Sequence, residues 1–387
     1  MIILQISALF LLLLFFLLLA FSIYGISIHQ EEKAYEGQNL PKVSLLLAAR
    51  NEEKLILRSL ESIANLEYPS EKLEVLIGND QSTDQTESLI RKFIQEKENY
   101  KMFNIQNNLG KGRGKANVLA HLAHQSSGDF FLITDVDVQL PKFWIKGMIS
   151  AFEPEIGIVS GTTMCAVDPS LNNSLKIGYL SKWFSKMQAM DWLHFMGYIK
   201  AFANMGVSCT SVGNNMAVRA KAYWQTGGYE QIEFSITEDY KLFEAVTNLG
   251  WSWKNLGNAQ TLGKAYYIPN VKEMLEQRKR WLIGAKDLPW NWKCMLVLYG
   301  LFYPLVFTLL FIEIHWALFF LGLKFFAQMV FITQLVQKVE ERQWSALDFV
   351  TYEIYLFLNT MATSIYYFLP KKSVWKGRPY SKKNILD

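Results

Sequence analysis

Long apolar runs stand near both ends of the chain. The first extends from Ile2 to Ile26 without a formal charge, and about 20 apolar residues are enough to cross a bilayer. A cleaved signal peptide would instead begin with a basic segment and end at a small-residue cleavage site, and this run has neither clearly. The pattern therefore predicts a retained transmembrane anchor over residues 1–28.

Three further apolar runs follow residue 290. They extend over 294–312, 314–335 and 349–369, and the last is the weakest because Glu353 and Asn359 interrupt it. We expect transmembrane or interfacial helices over 291–370. A basic tail, 371–387, follows, and the positive-inside rule places it in the cytosol. If the central domain is also cytosolic, an even number of spans must separate the two, whereas hydropathy offers three.

Between the apolar ends, short strand patterns alternate with amphipathic helical patterns. The strand patterns are rich in apolar residues and cover 43–49, 73–78, 102–105 and 130–134. This alternation predicts a Rossmann-like α/β domain over 41–265, with parallel strands that are covered on both faces. Ligands of such open sheets bind at the carboxyl ends of the strands.

Two details of this domain are open to test. After the first strand we expect Asn51 to cap the next helix, with Glu52 and Glu53 in its first turn. Beyond residue 156 the pattern is mixed, with strands predicted over 158–162 and 212–218. Residues 175–202 are typical either of an amphipathic helix on a membrane surface or of an ordinary pair of core helices.

Composition agrees with a soluble-type domain joined to membrane segments. Of the 387 residues, 51% are apolar and 14% aromatic, yet mean hydropathy is only +0.08. The net charge of +4 is too small to indicate nucleic-acid binding, and the sequence has no zinc-finger spacing and no sustained basic arm. The three cysteines are far apart in sequence and form neither a disulfide framework nor a metal-binding pattern.

Carboxylates follow two of the predicted strands. Asp135 and Asp137 come directly after the apolar run 130–134, and Asp80 follows the run 73–78. Two carboxylates one residue apart can share a hard cation, which takes oxygen ligands and commonly bridges protein to substrate phosphates. Asp80 can accept hydrogen bonds from a base or from ribose hydroxyls, although Asp also suits turns and helix caps.

Three more segments carry candidate chemistry. The Gly- and Lys-rich loop 110–117 precedes a helix, as phosphate-binding loops do, but it lacks P-loop spacing. Glu238 and Asp239 open a helix, a position at which the helix dipole stabilises acidic side chains. A carboxylate there can also act as a general base. The segment 277–281 combines Arg280, which can clamp a pyrophosphate, with Trp281, which can stack on a sugar or anchor an interfacial helix over 266–290.

Taken in their order along the chain, these residues resemble the membrane-bound branch of the family 2 inverting glycosyltransferases, which have a GT-A fold. Ceramide glucosyltransferases, carotenoid-type glycosyltransferases and cellulose-synthase-like enzymes are the similar groups. The resemblance extends from Val43 to Trp281. It includes the motifs Asp135-Val136-Asp137, Thr237-Glu238-Asp239 and Gln277-x-x-Arg280-Trp281.

The resemblance implies a role for each matched residue. Asp239 is expected to be the catalytic base, with Glu238 beside it, and Asp135 and Asp137 are expected to bind Mg²⁺ or Mn²⁺. Gln81 stands where the family usually has Gly or Asp. The residues expected to bind the nucleotide sugar are Arg50, Glu52, Asp80, Lys115, Asp135, Gln277, Arg280 and Trp281.

The implied function is inverting transfer of a sugar from a nucleotide sugar, with UDP expected, to a lipid or lipid-linked acceptor. The implied location is a bacterial inner membrane, with the domain facing the cytosol. About four apolar segments are few for a polysaccharide channel, but a processive polysaccharide synthase is the alternative. A sugar nucleotidyltransferase is disfavoured because its Gly-rich basic loop normally follows the first strand, and a non-catalytic scaffold because the acidic motifs are intact.

Overall fold

The computed structural model describes residues 2–28, 39–166, 179–207, 210–341, 344–370, 373–375 and 378–380. The chain divides into two compact units. A helical unit contains Met1–Gln30, Pro169–Cys209 and Tyr267–Pro370, and an α/β unit contains Glu31–Asp168, Thr210–Tyr266 and Lys371–Asp387. The stretch 169–209, which falls inside the domain expected over 41–265, thus groups with the helices. Where the functional domain begins and ends stays a prediction.

Helices and strands are numbered in chain order. The helices are α1 (Ile2–Ser27), α2 (Ile56–Ala64), α3 (Thr86–Ile94), α4 (Lys115–His124), α5 (Trp144–Ser150), α6 (Tyr179–Asn204), α7 (Ala220–Gln225), α8 (Glu238–Asn248), α9 (Val271–Gly284), α10 (Trp290–Ile312), α11 (Ile314–Lys338) and α12 (Ala346–Phe368). The strands are β1 (Val43–Ala49), β2 (Leu73–Asn79), β3 (Tyr100–Asn104), β4 (Phe130–Asp135), β5 (Val138–Gln139), β6 (Ile156–Ser160), β7 (Thr163–Ala166), β8 (Asn215–Arg219), β9 (Ser252–Asn255), β10 (Gly263–Tyr266), β11 (Ser373–Trp375) and β12 (Arg378–Tyr380).

The α/β unit is built on a seven-stranded sheet with the order β3-β2-β1-β4-β8-β6-β9. The first four strands in that order are parallel, and β8 runs antiparallel to both β4 and β6. The register pairs Ala49 with Asn79 and Ala48 with Asp135. Asp80 directly follows β2 and Asp135 is the last residue of β4. Both therefore lie at the carboxyl ends of the parallel strands, on either side of the end of β1.

Burial on both faces explains why six of the seven positions of the first strand are apolar. Leu45 and Leu47 of β1 are fully buried, and so is Leu46, which points to the opposite face. On one face, α2 contributes Ile56, Leu60 and Ile63 at helical spacing to the same core. Each fully buried Leu or Ile side chain stabilises the fold by about 1.5–3 kcal/mol. The sheet therefore gives the residues at its carboxyl edge a rigid base.

In the helical unit, three described helices are long and apolar enough to cross a membrane: α1, α10 and α11. The anchor expected over 1–28 and two of the C-terminal runs match them. The third run, predicted to begin at 349, forms α12, which is not among these three. Its polar interruption Glu353 forms an ion pair with buried Lys324 of α11, at 2.5 and 2.7 Å. Lys324 also donates to the Tyr303 hydroxyl at 3.0 Å.

Residues 179–204 form one helix, α6, and not a pair; residues 175–178 of the predicted segment lie outside the described residues. Most of its side chains are buried, among them Leu193, Met196 and Ile199. His194 is buried as well, and its two ring nitrogens lie 3.0 and 2.9 Å from the hydroxyls of Tyr352 and Tyr299. The predicted pair of core helices is therefore wrong, because one unbroken helix covers the described part of the segment. Its position relative to a membrane surface stays a prediction.

Candidate active site

Lys115 connects the end of β4 to the start of α8. Its ammonium Nζ lies 2.5 Å from Asp135 Oδ1 and 3.5 Å from Glu238 Oε1, and it donates to the carbonyl of Gly213 at 3.1 Å. Burial alone would lower the pKa of Lys115, but the charges of Asp135 and Glu238 outweigh it and raise that pKa above its ordinary value. A permanent positive charge therefore stands between two acidic motifs that are about 100 residues apart in sequence.

The carboxylate of Asp239 is held by two backbone amides. Oδ2 accepts from the N–H of Gly213 at 2.7 Å, and Oδ1 accepts from the N–H of Tyr240 at 2.8 Å. These bonds leave lone pairs on both oxygens, since each carboxylate oxygen can accept more than one hydrogen bond. The geometry fixes the direction of the carboxylate without exhausting its capacity to accept a proton.

Both carboxyl groups at the start of α8 have raised pKa values. Burial raises the pKa of Glu238, Lys115 opposes that rise, and the neighbouring charge of Asp239 adds to it. Burial also raises the pKa of Asp239, against the amides of Gly213 and Tyr240 and the charge of Lys115. Neighbouring carboxyl groups whose pKa values are raised by burial are typical of sites that transfer protons.

Gly213 is a residue that the sequence alone does not single out. A Cβ atom at this position would lie 2.9 Å from Cβ of Asp239. Only glycine therefore lets the backbone approach closely enough for its N–H to reach the Asp239 carboxylate while its carbonyl accepts from Lys115. In the sequence, Gly213 is a glycine inside the strand predicted over 212–218, which is too common a feature to indicate a site.

At the other side of the sheet edge, Arg50 packs on Asp80. Its Nη1 donates to the backbone carbonyl of Asp80 at 2.7 Å and lies 3.8 Å from the carboxylate Oδ1. Asp80 is 7% exposed, and its own N–H donates to Ala49. The structure thus brings together two of the residues expected to bind the nucleotide, at the ends of β1 and β2.

The prediction that Asn51 caps a helix is wrong. Asn51 has a φ of +51°, and α2 begins only at Ile56. Its side-chain oxygen accepts from the N–H of Thr83 at 2.9 Å, which ties the loop after β1 to the loop after β2. Glu52 does not stand in the first turn either; its N–H donates to the Thr86 hydroxyl at 2.7 Å.

Asp137 follows β4 by two residues. Its backbone carbonyl accepts from the N–H of Tyr266 at 2.8 Å, which joins it to the small sheet of β5, β10 and β7. Among the described residues, no three His, Cys, Asp or Glu side chains are grouped closely enough to hold a metal ion alone. The oxygen donors of Asp135 and Asp137 fit a hard divalent cation whose other ligands come from a substrate diphosphate and water.

Gln277, Arg280 and Trp281 lie on α9, in the helical unit. The two residues between the expected binding residues anchor this helix within that unit. Arg278 donates to Asp191 of α6 at 2.5 Å, and Lys279 donates to the carbonyl of Leu369, just after α12, at 2.6 Å. The Arg278 guanidinium also lies 4.5 Å from the centre of the Trp281 ring, and the Trp192 ring packs edge-on to Trp281 with ring centres 5.4 Å apart.

Comparisons with known proteins agree with this architecture. The sequence profile described as Glycosyl transferase family 21 matches residues 12–384. The fold is also similar to that of the mannosyltransferase PcManGT from Pyrobaculum calidifontis, solved with GDP-Man and Mn²⁺. The TM-score is 0.55 at 16% sequence identity, over 95% of this chain and 100% of that one. The GT-A type α/β fold expected from the sequence is confirmed.

Two curated relatives illustrate the range of similar proteins. The chain is 27% identical over 263 residues to a beta-monoglucosyldiacylglycerol synthase of Nostoc sp.. The matched region covers 66% of this chain and 51% of the relative. The chain is also 28% identical over 206 residues to a poly-beta-1,6-N-acetyl-D-glucosamine synthase of Staphylococcus epidermidis. That region covers 53% of this chain and 45% of the relative. The chain thus spans about half the length of these relatives.

Proposed function

The chain belongs to glycosyl transferase family 21, and from that premise we propose that it transfers a sugar from a nucleotide sugar, with inversion, to a lipid or lipid-linked acceptor. The observation that carries this proposal is the position of Lys115 between Asp135 and Glu238, beside the oriented carboxylate of Asp239. Such a cluster can place a diphosphate and an acid–base group within one site.

The donor would bind along the carboxyl edge of the sheet. Asp80 would accept from the base or ribose, with Arg50 holding it in place and Glu52 in the neighbouring loop. When the diphosphate of the substrate binds near Asp135, the ammonium of Lys115 would turn from Asp135 to the phosphate oxygens. Gln277, Arg280 and Trp281 are proposed as further donor contacts, with the Arg280 guanidinium pairing with phosphate oxygens. UDP is the proposed nucleotide.

A divalent cation, Mg²⁺ or Mn²⁺, would be held by Asp135 and Asp137 and would neutralise charge that develops on the leaving diphosphate. The oxygen-only donor set of these two residues supports the assignment. The mannosyltransferase with a similar fold was solved with Mn²⁺. The positive charge of Lys115 stands on the same side of the site and adds to that neutralisation.

Asp239 is proposed as the general base. Its carboxylate takes the proton of an acceptor hydroxyl while the hydroxyl oxygen forms a bond to the anomeric carbon. The bond from that carbon to the diphosphate oxygen breaks, and its electron pair leaves with the nucleoside diphosphate. The single displacement inverts the anomeric centre, so the reaction needs no covalent intermediate on the protein.

A lipid acceptor is supported by two observations. The described part of the helical unit has three helices that could cross a membrane, which is few for a closed polysaccharide channel. One curated relative is named for glucosylation of diacylglycerol. A processive polysaccharide synthase is the second candidate, because another relative is named as a polymer synthase.

The deciding experiment offers the purified full chain a panel of nucleotide sugars together with native lipid extract, followed by mass spectrometry of the products. We expect lipids that carry one or very few added sugars. A long polymer recovered from reconstituted vesicles would replace the lipid acceptor with the processive alternative. No transfer from any nucleotide sugar to any acceptor would contradict the proposed function as a whole.

A further inference from the structure

Tyr229 is a buried tyrosine in the loop between α7 and α8. Two glycines with left-handed backbone, Gly227 at φ +79° and Gly228 at φ +69°, turn the chain immediately before it. The residue is 2% exposed, and its ring packs edge-on against Tyr223, with ring centres 5.8 Å apart. Its backbone N–H donates to the Tyr223 hydroxyl at 3.1 Å, so both the ring and the backbone of Tyr229 are held in place.

The hydroxyl of Tyr229 has no hydrogen-bond partner among the residues that the structure describes, although it is buried. Buried hydroxyl groups nearly always have a partner, because an unpartnered one loses its hydration without compensation. A phenylalanine at this position would make the same ring contacts without that cost. Among the described residues the hydroxyl makes no hydrogen bond that would stabilise the fold, which leaves it able to donate to a ligand.

The surroundings of Tyr229 include one residue of the candidate site, Glu238. Tyr229 lines a small cavity together with Arg113, Ala116, Ser235, Glu238 and Lys241. Burial raises the pKa of the Tyr229 phenol well above its usual value, and the charges of Glu238, Asp239 and Asp135 raise it further. The phenol thus remains protonated and can act as a hydrogen-bond donor in the cavity that Glu238 also lines.

We propose that Tyr229 donates a hydrogen bond to a substrate hydroxyl beside Glu238 and Asp239. The ligand class is a polyol or alcohol, and the hydroxyl belongs either to the sugar ring of the donor or to the acceptor. This proposal rests on the proposed function, since it needs a hydroxyl-bearing substrate in this cavity. It makes Tyr229 a binding residue that the sequence motifs do not include, because a tyrosine after two glycines has no distinctive spacing.

The test is Tyr229→Phe in the full chain, which removes one oxygen atom and keeps the ring. Because that oxygen has no partner among the described residues, the melting temperature should stay the same or rise. The value of kcat/KM should fall about two- to tenfold, as expected for one neutral hydrogen bond to a substrate. Loss of stability together with activity would instead indicate a structural hydroxyl and would overturn the proposal.

Tyr68→Phe is the matched control. The Tyr68 hydroxyl donates to the carbonyl of Pro41 at 2.6 Å, just before β1 and at the opposite end of that strand from the site. Its removal should lower the melting temperature and leave kcat/KM unchanged, which is the opposite pattern. If Tyr229→Phe has wild-type kcat/KM while the wild-type protein is active, the Tyr229 proposal alone fails. If the wild-type protein transfers no sugar, the proposed function fails first.

Three measurements distinguish the sources of the hydroxyl: donor hydrolysis, calorimetric donor binding and the KM for the acceptor. If Tyr229 contacts the donor sugar, Tyr229→Phe should also slow hydrolysis of the nucleotide sugar without acceptor and should weaken calorimetric binding of the intact donor. If it contacts the acceptor, donor binding and hydrolysis should be unchanged, and the KM for the acceptor should rise. Either result supports the proposal, and wild-type values in all of these measurements contradict it.

Discussion

Nζ of Lys115 lies 2.5 Å from Oδ1 of Asp135. Lys115 is the first residue of α4 and Asp135 is the last residue of β4. Their contact therefore joins the Gly- and Lys-rich loop 110–117 to the acidic motif 135–137. We expect this site to receive a divalent cation and a diphosphate, and here the ammonium of Lys115 is the positive charge that pairs with the Asp135 carboxylate. Binding of a phosphate-bearing substrate would therefore require Lys115 to exchange Asp135 for phosphate oxygens.

Replacement of Lys115 by Met should shift the pH dependence of the reaction. Lys115 lowers the pKa values of Glu238 and Asp239, which burial raises. Without the ammonium both pKa values should rise further. A general base acts only when deprotonated, so kcat falls as pH drops through its pKa, and the acid limb of the profile should move to higher pH.

The measurement is kcat as a function of pH for wild type and Lys115→Met at saturating nucleotide sugar. Lys146→Met is a suitable control, since Lys146 pairs with Glu67 away from the site, and its acid limb should coincide with that of wild type. An unchanged acid limb in Lys115→Met would show that Lys115 does not act on the titrating group.

The cation assignment predicts that chelation stops the reaction. EDTA should abolish transfer, and an excess of Mn²⁺ or Mg²⁺ should restore it, because the assigned cation neutralises the negative charge that develops on the leaving diphosphate. Asp137→Ala should weaken calorimetric nucleotide binding in the presence of metal and change it little in its absence. EDTA saturated beforehand with Mg²⁺ is the control for other effects of the chelator. Full turnover in free EDTA would remove the metal from the mechanism.

The buried ion pair of the helical unit predicts a stability effect that a double variant can isolate. Lys324→Met should destabilise the protein by about 3 kcal/mol, because it leaves the carboxylate of Glu353 without the cation that lies 2.5 Å from it. The double variant Lys324→Met with Glu353→Gln should recover most of that loss. Thermal unfolding of the detergent-solubilised full chain measures both. Equal destabilisation of the single and double variants would show that the charge is not the cause.

The parts of this fold that sequence predicts best are the ones with continuous local patterns. The apolar run 43–49 forms β1 at the predicted bounds, since a strand buried on both faces needs no polar position. The carboxylates after the strand runs 73–78 and 130–134 also lie where expected, because parallel strands present their carboxyl ends at one edge. In these cases the deciding interactions are close in sequence or are imposed by the sheet.

Long-range contacts decide what the sequence misses. Asn51 adopts a left-handed conformation because it bonds to a loop about 30 residues away, so local capping rules do not apply to it. The approach of Gly213 to Asp239 and the missing partner of the Tyr229 hydroxyl likewise depend on packing between distant segments. Long-range contacts also distinguish the polar residues of α9. Arg278 and Lys279 bond to distant segments of the helical unit, whereas in the sequence they look as able to bind a ligand as their neighbours Gln277 and Arg280.

The sharpest prediction concerns Asp239. Asp239→Asn is nearly isosteric, but the amide cannot take a proton from an acceptor hydroxyl, so kcat should fall on the order of 10²–10⁴-fold. Nucleotide-sugar affinity should change little, because the carboxylate is assigned to the acceptor side. Product formation and calorimetric donor binding, measured on the same preparation, separate these two effects.

Glu238→Gln serves as the comparison within the same turn of α8. It removes a carboxylate that lies 3.5 Å from Lys115 and keeps its size, and its effect on kcat should be milder if Asp239 is the base. Near-wild-type turnover of Asp239→Asn together with a large loss in Glu238→Gln would transfer the role of base to Glu238. Loss of folded protein in Asp239→Asn would instead indicate that the carboxylate mainly supports the backbone at Gly213 and Tyr240, because its two oxygens accept from those amides at 2.7 and 2.8 Å.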